Sequence, residues 1–306
     1  MSLEDLGLID YEIQDKTLLL DGDIIIYRPC YIFNEEDDQS KRQIAKYVNS
    51  KIDELMKAAG CNKYIMFVTT KFNFRDSLVD DYKANRDDVE RPVNLAWAKR
   101  WAIDNLNTYF HKGLEADDLL GIHTSEDTVI WSLDKDLRQI PGIHLDDDTM
   151  QLVEITESGH LEERGKKVYF DGIMGLYYQL LIGDSTDWIV GCGKRVESVF
   201  KSGAKKGKKR VSRKGVGPKG AMKILISAIM SRKQGKEPTE AALEAVIQQY
   251  KLLHKEDWQH HLETQANLLF MVRKQYGEVI QRWTYDGREE YFDLVKGVII
   301  NDFTPN

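Results

Sequence analysis

The residues best equipped for chemistry in this chain are acids that follow or precede apolar runs. Asp21 and Asp23 sit in LLLDGDIII, and Glu115, Asp117 and Asp118 open a predicted helix in GLEADDLLG. Asp134 and Asp136 lie in WSLDKDLRQIPG, and Asp184 and Asp187 in LLIGDSTDW. A single such cluster is ordinary, because Asp is common in turns and at helix N-caps. Four clusters, each beside an element that can anchor it, would gather mutually repelling carboxylates unless cations neutralise them. Oxygen donors without a matching His/Cys set favour hard ions such as Mg²⁺ or Mn²⁺. Two such ions can stabilise both the attacking and the leaving oxygen of a phosphodiester.

Positive charge is arranged to complement them. Lys83 and Arg86 in DYKANRDD are three apart and would share one face of a helix. Lys can stabilise charge developing on a phosphate, and Arg can clamp its oxygens bidentately. The same pair can equally form a surface ion cluster with Asp87 and Asp88. The formal net charge is −7, yet from Lys194 to Lys223 twelve basic residues face one acid, Glu197. Such a block suits phosphate contact, where each neutralised phosphate releases counterions. It runs into Lys214–Ala221, KGVGPKGA, a glycine turn before an apolar helix. The free N–H groups of such a turn can bind phosphate. Because no strand precedes it, a dinucleotide-binding turn is excluded and a helix–hairpin–helix gripping DNA backbone fits better.

The elements that must position these groups can be read from hydrophobic spacing. Thr17–Asp21 reads as a buried parallel strand, Lys63–Thr69 as a second and Thr128–Leu133 as a third. Ile44, Val48, Ile52 and Leu55 give helical spacing from Lys41 to Ala59, stopped by Gly60. Pro92 opens a further helix carrying Leu95, Trp97, Trp101, Leu106 and Phe110, with Gly113 at its end. This alternation predicts an α/β core with a central, mainly parallel sheet flanked by helices. Beyond about residue 170 the pattern becomes mainly helical, with candidates at Gly172–Ile182, Lys219–Met230, Thr239–Tyr250 and Trp258–Trp283. The expected organisation is therefore a core at 1–170 with the acidic site and a helical lobe at 171–306. A Lys/Gly/Ser-rich loop is expected at 201–214.

With 42% hydrophobic and 30% charged residues, the 306-residue chain has material for a real core. No apolar run approaches the length of a membrane span, and the acidic N-terminus does not read as a signal peptide. Cys30, Cys61 and Cys192 are too few and too irregular for a zinc site or disulfide framework, and they read as reduced thiols in a cytoplasmic protein. His260 and His261 fall in a helical pattern without convergent ligands and read as surface residues.

Together, LLLDGD, YKANR, EADD, SLDKD, GDSTD and GVGPKGA resemble the 5′-nuclease or flap-endonuclease family, in the family's order and from residue 19 to about 225. In look they are most similar to phage 5′→3′ exonucleases and phage ribonuclease H. The resemblance implies a PIN-like nuclease core and a helix–hairpin–helix lobe. It implies metal ligation by Asp21, Glu115, Asp117, Asp134 and Asp136, with Asp118 alongside, and a second metal site completed by Asp184 and Asp187. Lys83 and Arg86 would contact the scissile phosphate, and Tyr82 would stack on a base. Gly215, Gly217 and Lys219 would hold duplex backbone and, as in relatives, a K⁺ ion. Lys205, Lys206, Lys208, Lys209, Arg210, Arg213 and Lys214 would add DNA contacts. The implied cofactor is a pair of Mg²⁺ ions, replaceable by Mn²⁺. The implied partner is DNA with a 5′ end or flap, or an RNA–DNA hybrid, in replication alongside replication proteins, in host cytoplasm if the chain is viral.

Two departures stand out. The family places an acid just after its second strand, where this chain has Thr69 and Thr70. The basic stretch also separates Asp187 from the glycine hairpin, and Gly191-Cys192-Gly193 competes for the hairpin role. A haloacid-dehalogenase-like phosphohydrolase with Asp21 as nucleophile is one alternative, although it leaves EADD, DKD and YKANR without purpose. A non-catalytic DNA-binding paralogue is another.

Overall fold

A computed structural model describes residues 14–80, 82–84, 90–165, 167–199, 209–300 and 303–304. Chain contacts divide it into two units, the first drawn from the described residues of Met1–Phe72, Glu90–Leu137 and Gly142–Ile155.

This first unit begins with β1 (Gln14–Asp21), which runs straight into α1 (Gly22–Ile32). Gly22 makes that junction feasible, since a Cβ there would stand 2.6 Å from the Phe67 carbonyl oxygen. Next comes α2 (Asp38–Ala59), capped by Asp37, which accepts the Ser40 N–H at 2.6 Å, and ended by left-handed Gly60. Its expected stripe of Ile44, Val48, Ile52 and Leu55 is buried, each side chain contributing roughly 1.5–3 kcal/mol on removal from water. Further along are β2 (Cys61–Phe67), α3 (Leu95–Asn105), β3 (Thr108–Tyr109), α4 (Ala116–His123), β4 (Thr128–Trp131), β5 (Gly142–Leu145) and β6 (Leu152–Ile155). They form one six-stranded sheet in the order β3-β2-β1-β4-β5-β6, parallel except for β6 against β5. The central sheet flanked by helices is as the apolar pattern predicts.

Three details differ from the sequence expectation. The helix expected from Pro92 to Gly113 is only Leu95–Asn105. Asn94 holds the chain before it by donating to the carbonyls of Phe33 and Glu35. After it, Asn107 donates to the Tyr64 carbonyl at 2.6 Å and Thr108–Tyr109 joins the sheet edge, which ends the helix early. The second strand stops at Phe67, so Thr69 and Thr70 lie beyond it. An unexpected helix, α1, follows Asp21 directly.

The described residues of Asn73–Val89, Arg138–Pro141 and Thr156–Asn306 form the second unit. Its elements are β7 (Leu161–Arg164), β8 (Lys167–Phe170), α5 (Gly172–Ile182), β9 (Lys194–Val199), β10 (Lys209–Lys214), α6 (Pro218–Met230), α7 (Pro238–His254) and α8 (Trp258–Leu269). Four short strands close it: β11 (Gln275–Tyr276), β12 (Val279–Gln281), β13 (Tyr291–Asp293) and β14 (Val298–Ile300). Leu176, Leu180, Leu181, Val246, Tyr250 and Leu262 pack together in the helical core. Arg75 is buried against it and donates to the carbonyls of Leu268 and Phe270.

In this unit two expectations are corrected. The helix anticipated from Trp258 to Trp283 ends at Leu269, and an antiparallel sheet follows. Gly277, Gly287 and Gly297, all with positive φ, turn its successive hairpins. The Lys/Gly/Ser-rich segment is not simply a loop: Lys209–Lys214 pairs antiparallel with Lys194–Val199 as a two-stranded ribbon. No described helix is long and apolar enough to cross a membrane, and Cys30, Cys61 and Cys192 are buried free thiols.

Candidate active site

Asp21 is the last residue of β1 and the N-cap of α1, accepting the Ile24 N–H at 3.3 Å. Only 2% of it is exposed. Burial, then the charges of Asp23 and Asp134, push its carboxyl up to about 7, against the pull of hydrogen bonds from Ser132 and Ile24. Ser132 is a hub that the sequence reading missed. Its hydroxyl donates to Asp21 at 2.6 Å and accepts the Asp134 N–H at 2.9 Å. Asp134 in turn accepts the Asp136 N–H at 2.9 Å. The available signal was a lone hydroxyl placed directly between an apolar strand and two acids.

On the other side of Asp21, Asp23 accepts the Thr69 N–H on both carboxylate oxygens at 3.2 Å. Lys99 of α3 reaches the same carboxylate at 2.6 Å and also donates to the Thr69 carbonyl at 2.9 Å. The Thr69 hydroxyl accepts the N–H of Ala116, the first residue of α4. Glu115 caps that helix, and its own N–H goes to the Asp118 carboxylate at 3.2 Å. Asp118 is fully buried, Glu115 is buried and Asp117 is half-buried. Asp118 therefore has a capping duty at the start of α4.

The first unit thus joins Asp21 to Asp134 through Ser132 and Asp134 to Asp136 directly, and links Asp23 to the start of α4 through Thr69. Among the described residues, no three His, Cys, Asp or Glu side chains are already drawn together as a ligand set. The donor chemistry nevertheless fits a hard divalent ion. All the groups are oxygens, and a carboxyl raised to about 7 by burial first and then by Asp23 and Asp134 marks a place where a cation would favour the charged form.

The second unit carries its own pair of acids. Asp184 is buried and accepts the Thr186 N–H at 2.6 Å and the Asp187 N–H at 3.4 Å, folding GDSTD around itself. Lys83 stands 3.3 Å from the Asp187 carboxylate and over the Tyr82 ring at 4.9 Å. Its backbone is left-handed, φ 54°, a conformation that costs a side-chain-bearing residue roughly 1 kcal/mol or more.

The basic segment divides by role. Arg195 donates to the Trp188 carbonyl, and Arg213 donates to the carbonyls of Val190, Val216 and Leu181. Both arginines hold the base of the ribbon. Lys214 is exposed. Gly193 and Gly215 lie against each other: a Cβ on Gly215 would stand 2.6 Å from the Gly193 Cα. The two competing hairpin candidates are therefore neighbours in space, one on each side of the ribbon's base. Gly217 is the N-cap of α6, and Lys219 is exposed in its first turn. Lys209 and Arg210 lie in β10, while Arg86, Lys205, Lys206 and Lys208 are outside the described residues.

Residues 16–166 match the family model described as 5′-3′ exonuclease, N-terminal resolvase-like domain. The 5′-3′ exonuclease of Buchnera aphidicola subsp. Schizaphis graminum is 26% identical over 204 residues, which cover 60% of this chain and 68% of that protein. Similar solved structures include a bacteriophage T5 flap endonuclease complex with DNA and metal ions, at 14% identity over 83% of this chain and 98% of that one, TM-score 0.47. The T5 5′-exonuclease with bound zinc is also 14% identical, over 83% of this chain and 99% of that one, TM-score 0.47. Residues 16–166 thus belong to the family of 5′-3′ exonuclease N-terminal, resolvase-like domains.

Proposed function

We propose that the chain is a divalent-metal-dependent 5′→3′ exonuclease and flap endonuclease that hydrolyses DNA phosphodiesters. The observation that supports this most is Asp21, a carboxyl buried at a strand end and raised to about 7 by burial and by Asp23 and Asp134. Asp21, Glu115, Asp117, Asp118, Asp134 and Asp136 are proposed as metal ligands, with Asp184 and Asp187 serving a second ion. Mg²⁺ is the expected ion, Mn²⁺ an acceptable replacement. When bound, such ions would supply charge stabilisation for the attacking and leaving oxygens of the phosphodiester.

The protein's own groups do the rest. Ser132 orients Asp21, and the backbone of 134–136 is held by Ser132 and Asp134, so these carboxylates keep fixed directions. Lys83, aimed by its ion pair with Asp187, neutralises phosphate charge, and Arg86 joins it in the proposal. Tyr82 stacks on a base. Gly217 gives α6 no side-chain cap and Pro218 has no N–H, so the backbone N–H groups of Lys219 and Gly220 are the ones offered to duplex phosphate, with the Lys219 ammonium beside them. Gly215 and Gly217 would complete a helix–hairpin–helix with its K⁺ ion, and the ribbon lysines would extend the DNA contact. RNA in RNA–DNA hybrids, a phage-type replication role and replication-protein partners belong to the same proposal.

Cleavage of 5′-labelled blunt, nicked and flapped duplexes with Mg²⁺, and its loss in EDTA, is the test. Absence of metal-dependent product on every substrate would leave the second reading, a DNA-binding protein without cleavage. The Lys99–Asp23 ion pair, which sets a fixed cation among the acids, is the observation that favours that second reading.

A further inference from the structure

We infer that Lys99 is the resident counter-ion of Asp23, and that it closes the corner formed by Asp23, Thr69 and Thr70 to a divalent ion. This rests on the metal-dependent reading of the neighbouring acids. Asp23 lies two residues after Asp21, and its carboxylate is fixed to the segment just past β2 by the Thr69 N–H. It therefore brings a carboxylate into the place where the threonines supply none. The ammonium that meets it is held on two sides, 2.6 Å from Asp23 and 2.9 Å from the Thr69 carbonyl. Neither side chain is freely solvated, with Lys99 27% and Asp23 31% exposed.

Neither threonine hydroxyl carries a charge that could stand in for a carboxylate. The Thr69 hydroxyl is taken by the Ala116 N–H, and the Thr70 hydroxyl is buried with no hydrogen-bond partner. Lys99 and Asp23 together carry no net charge, so this corner adds nothing to the attraction that Asp21 and Asp134 exert on a cation. A divalent ion approaching Asp23 would meet the ammonium at close range. The consequence is an ion site centred on Asp21 and Asp134, with Asp23 reserved as a structural partner of Lys99.

The test is Mn²⁺ titration of the full chain without DNA, followed by calorimetry and by electron paramagnetic resonance of free Mn²⁺. Lys99→Met should tighten Mn²⁺ binding by about tenfold or more, because a unit charge a few ångströms away is removed. Lys99→Gln should do the same, guarding against a folding defect specific to Met, and Lys99→Arg should behave as wild type. In EDTA, Lys99→Met should melt about 2 °C lower than wild type, and Mn²⁺ should abolish that difference. Unchanged or weaker Mn²⁺ binding in both neutral variants, with the wild type binding normally, would overturn the role of Lys99 alone. Weaker binding in the charge-neutral double variant Asp23→Asn/Lys99→Met than in the wild type would overturn it too, by making Asp23 a ligand despite its ammonium. No Mn²⁺ binding by any variant or by the wild type would overturn the metal-dependent reading itself.

Discussion

Lys83 and Asp187 meet twice: the Lys83 N–H donates to the Asp187 carbonyl at 3.2 Å, and the Lys83 ammonium stands 3.3 Å from the Asp187 carboxylate. The double contact holds Lys83 in a left-handed backbone conformation that its side chain disfavours. A strained residue held by its neighbours is characteristic of functional positions. Lys83→Gly separates strain from chemistry, because glycine accepts that backbone readily. The variant should keep its melting temperature within about 2 °C of wild type while losing at least about 100-fold in cleavage rate. Wild-type turnover on a flapped duplex would show that the ammonium is only a strut.

Asp21 makes the metal-free protein sensitive to pH. Its folded-state pKa of about 7 lies above the ordinary 3.8, so the folded chain binds more protons than the unfolded one between those values. The stabilising contribution is thus complete below about pH 4 and is lost as pH rises through 7. In EDTA at pH 8, Asp21→Asn should melt higher than wild type, and at pH 4 the advantage should vanish. Mg²⁺ should raise the wild type at pH 8 and leave the variant nearly unmoved. A variant that melts lower than wild type in EDTA at pH 8 would contradict the charge crowding around Asp21.

Asp134 is exposed and Asp184 is buried, yet both are proposed to serve the same chemistry. Asp134→Asn and Asp184→Asn should each abolish most cleavage while duplex binding is largely kept. Gel-shift affinity measured alongside product formation decides it; normal cleavage by either variant removes that residue from the proposed metal sites.

Arg213 and its lysine neighbours should respond in opposite ways. Neutralising Lys205, Lys206, Lys208 and Lys209 should weaken DNA binding and flatten its dependence on salt, by about one unit of slope per lost phosphate contact. Arg213→Ala removes donors from the carbonyls of Val190, Val216 and Leu181 and should cost about 2 kcal/mol in a denaturant melt. Its salt slope should stay near the wild-type value. A flattened slope with unchanged stability would mean that Arg213 is a phosphate ligand after all.

Much of the first unit is legible in the sequence because its strands are short apolar runs and its long helix has a clean stripe, Ile44 to Leu55. The acids at strand ends are legible for the same reason: each is anchored by an element with strong periodicity. What escapes is decided by partners distant in sequence. The early end of α3 depends on Asn107 reaching Tyr64, and nothing within the segment itself announces that contact. The roles of Ser132 and Lys99 depend on strands and helices being neighbours. The C-terminal sheet was available in principle, because Gly277 interrupts the helical reading of Trp258–Trp283 and Gly287 and Gly297 follow it at ten-residue spacing. The ribbon hides behind its composition: lysine and glycine suggest a solvated loop, whereas its strand pairing places Arg195 opposite Arg213 and Lys194 opposite Lys214.

The contact between Gly193 and Gly215 makes the ribbon a detachable cassette. The chain leaves the helical unit at one glycine and returns at the other with its ends already touching. Arg195 and Arg213 tie the base of each strand to Trp188, Leu181, Val190 and Val216, so only what lies beyond those two arginines is independent of these anchors. Evolution could enlarge or shorten the part beyond those arginines in a single event, and an engineer could replace it with an affinity segment while the base of the ribbon stays as it is.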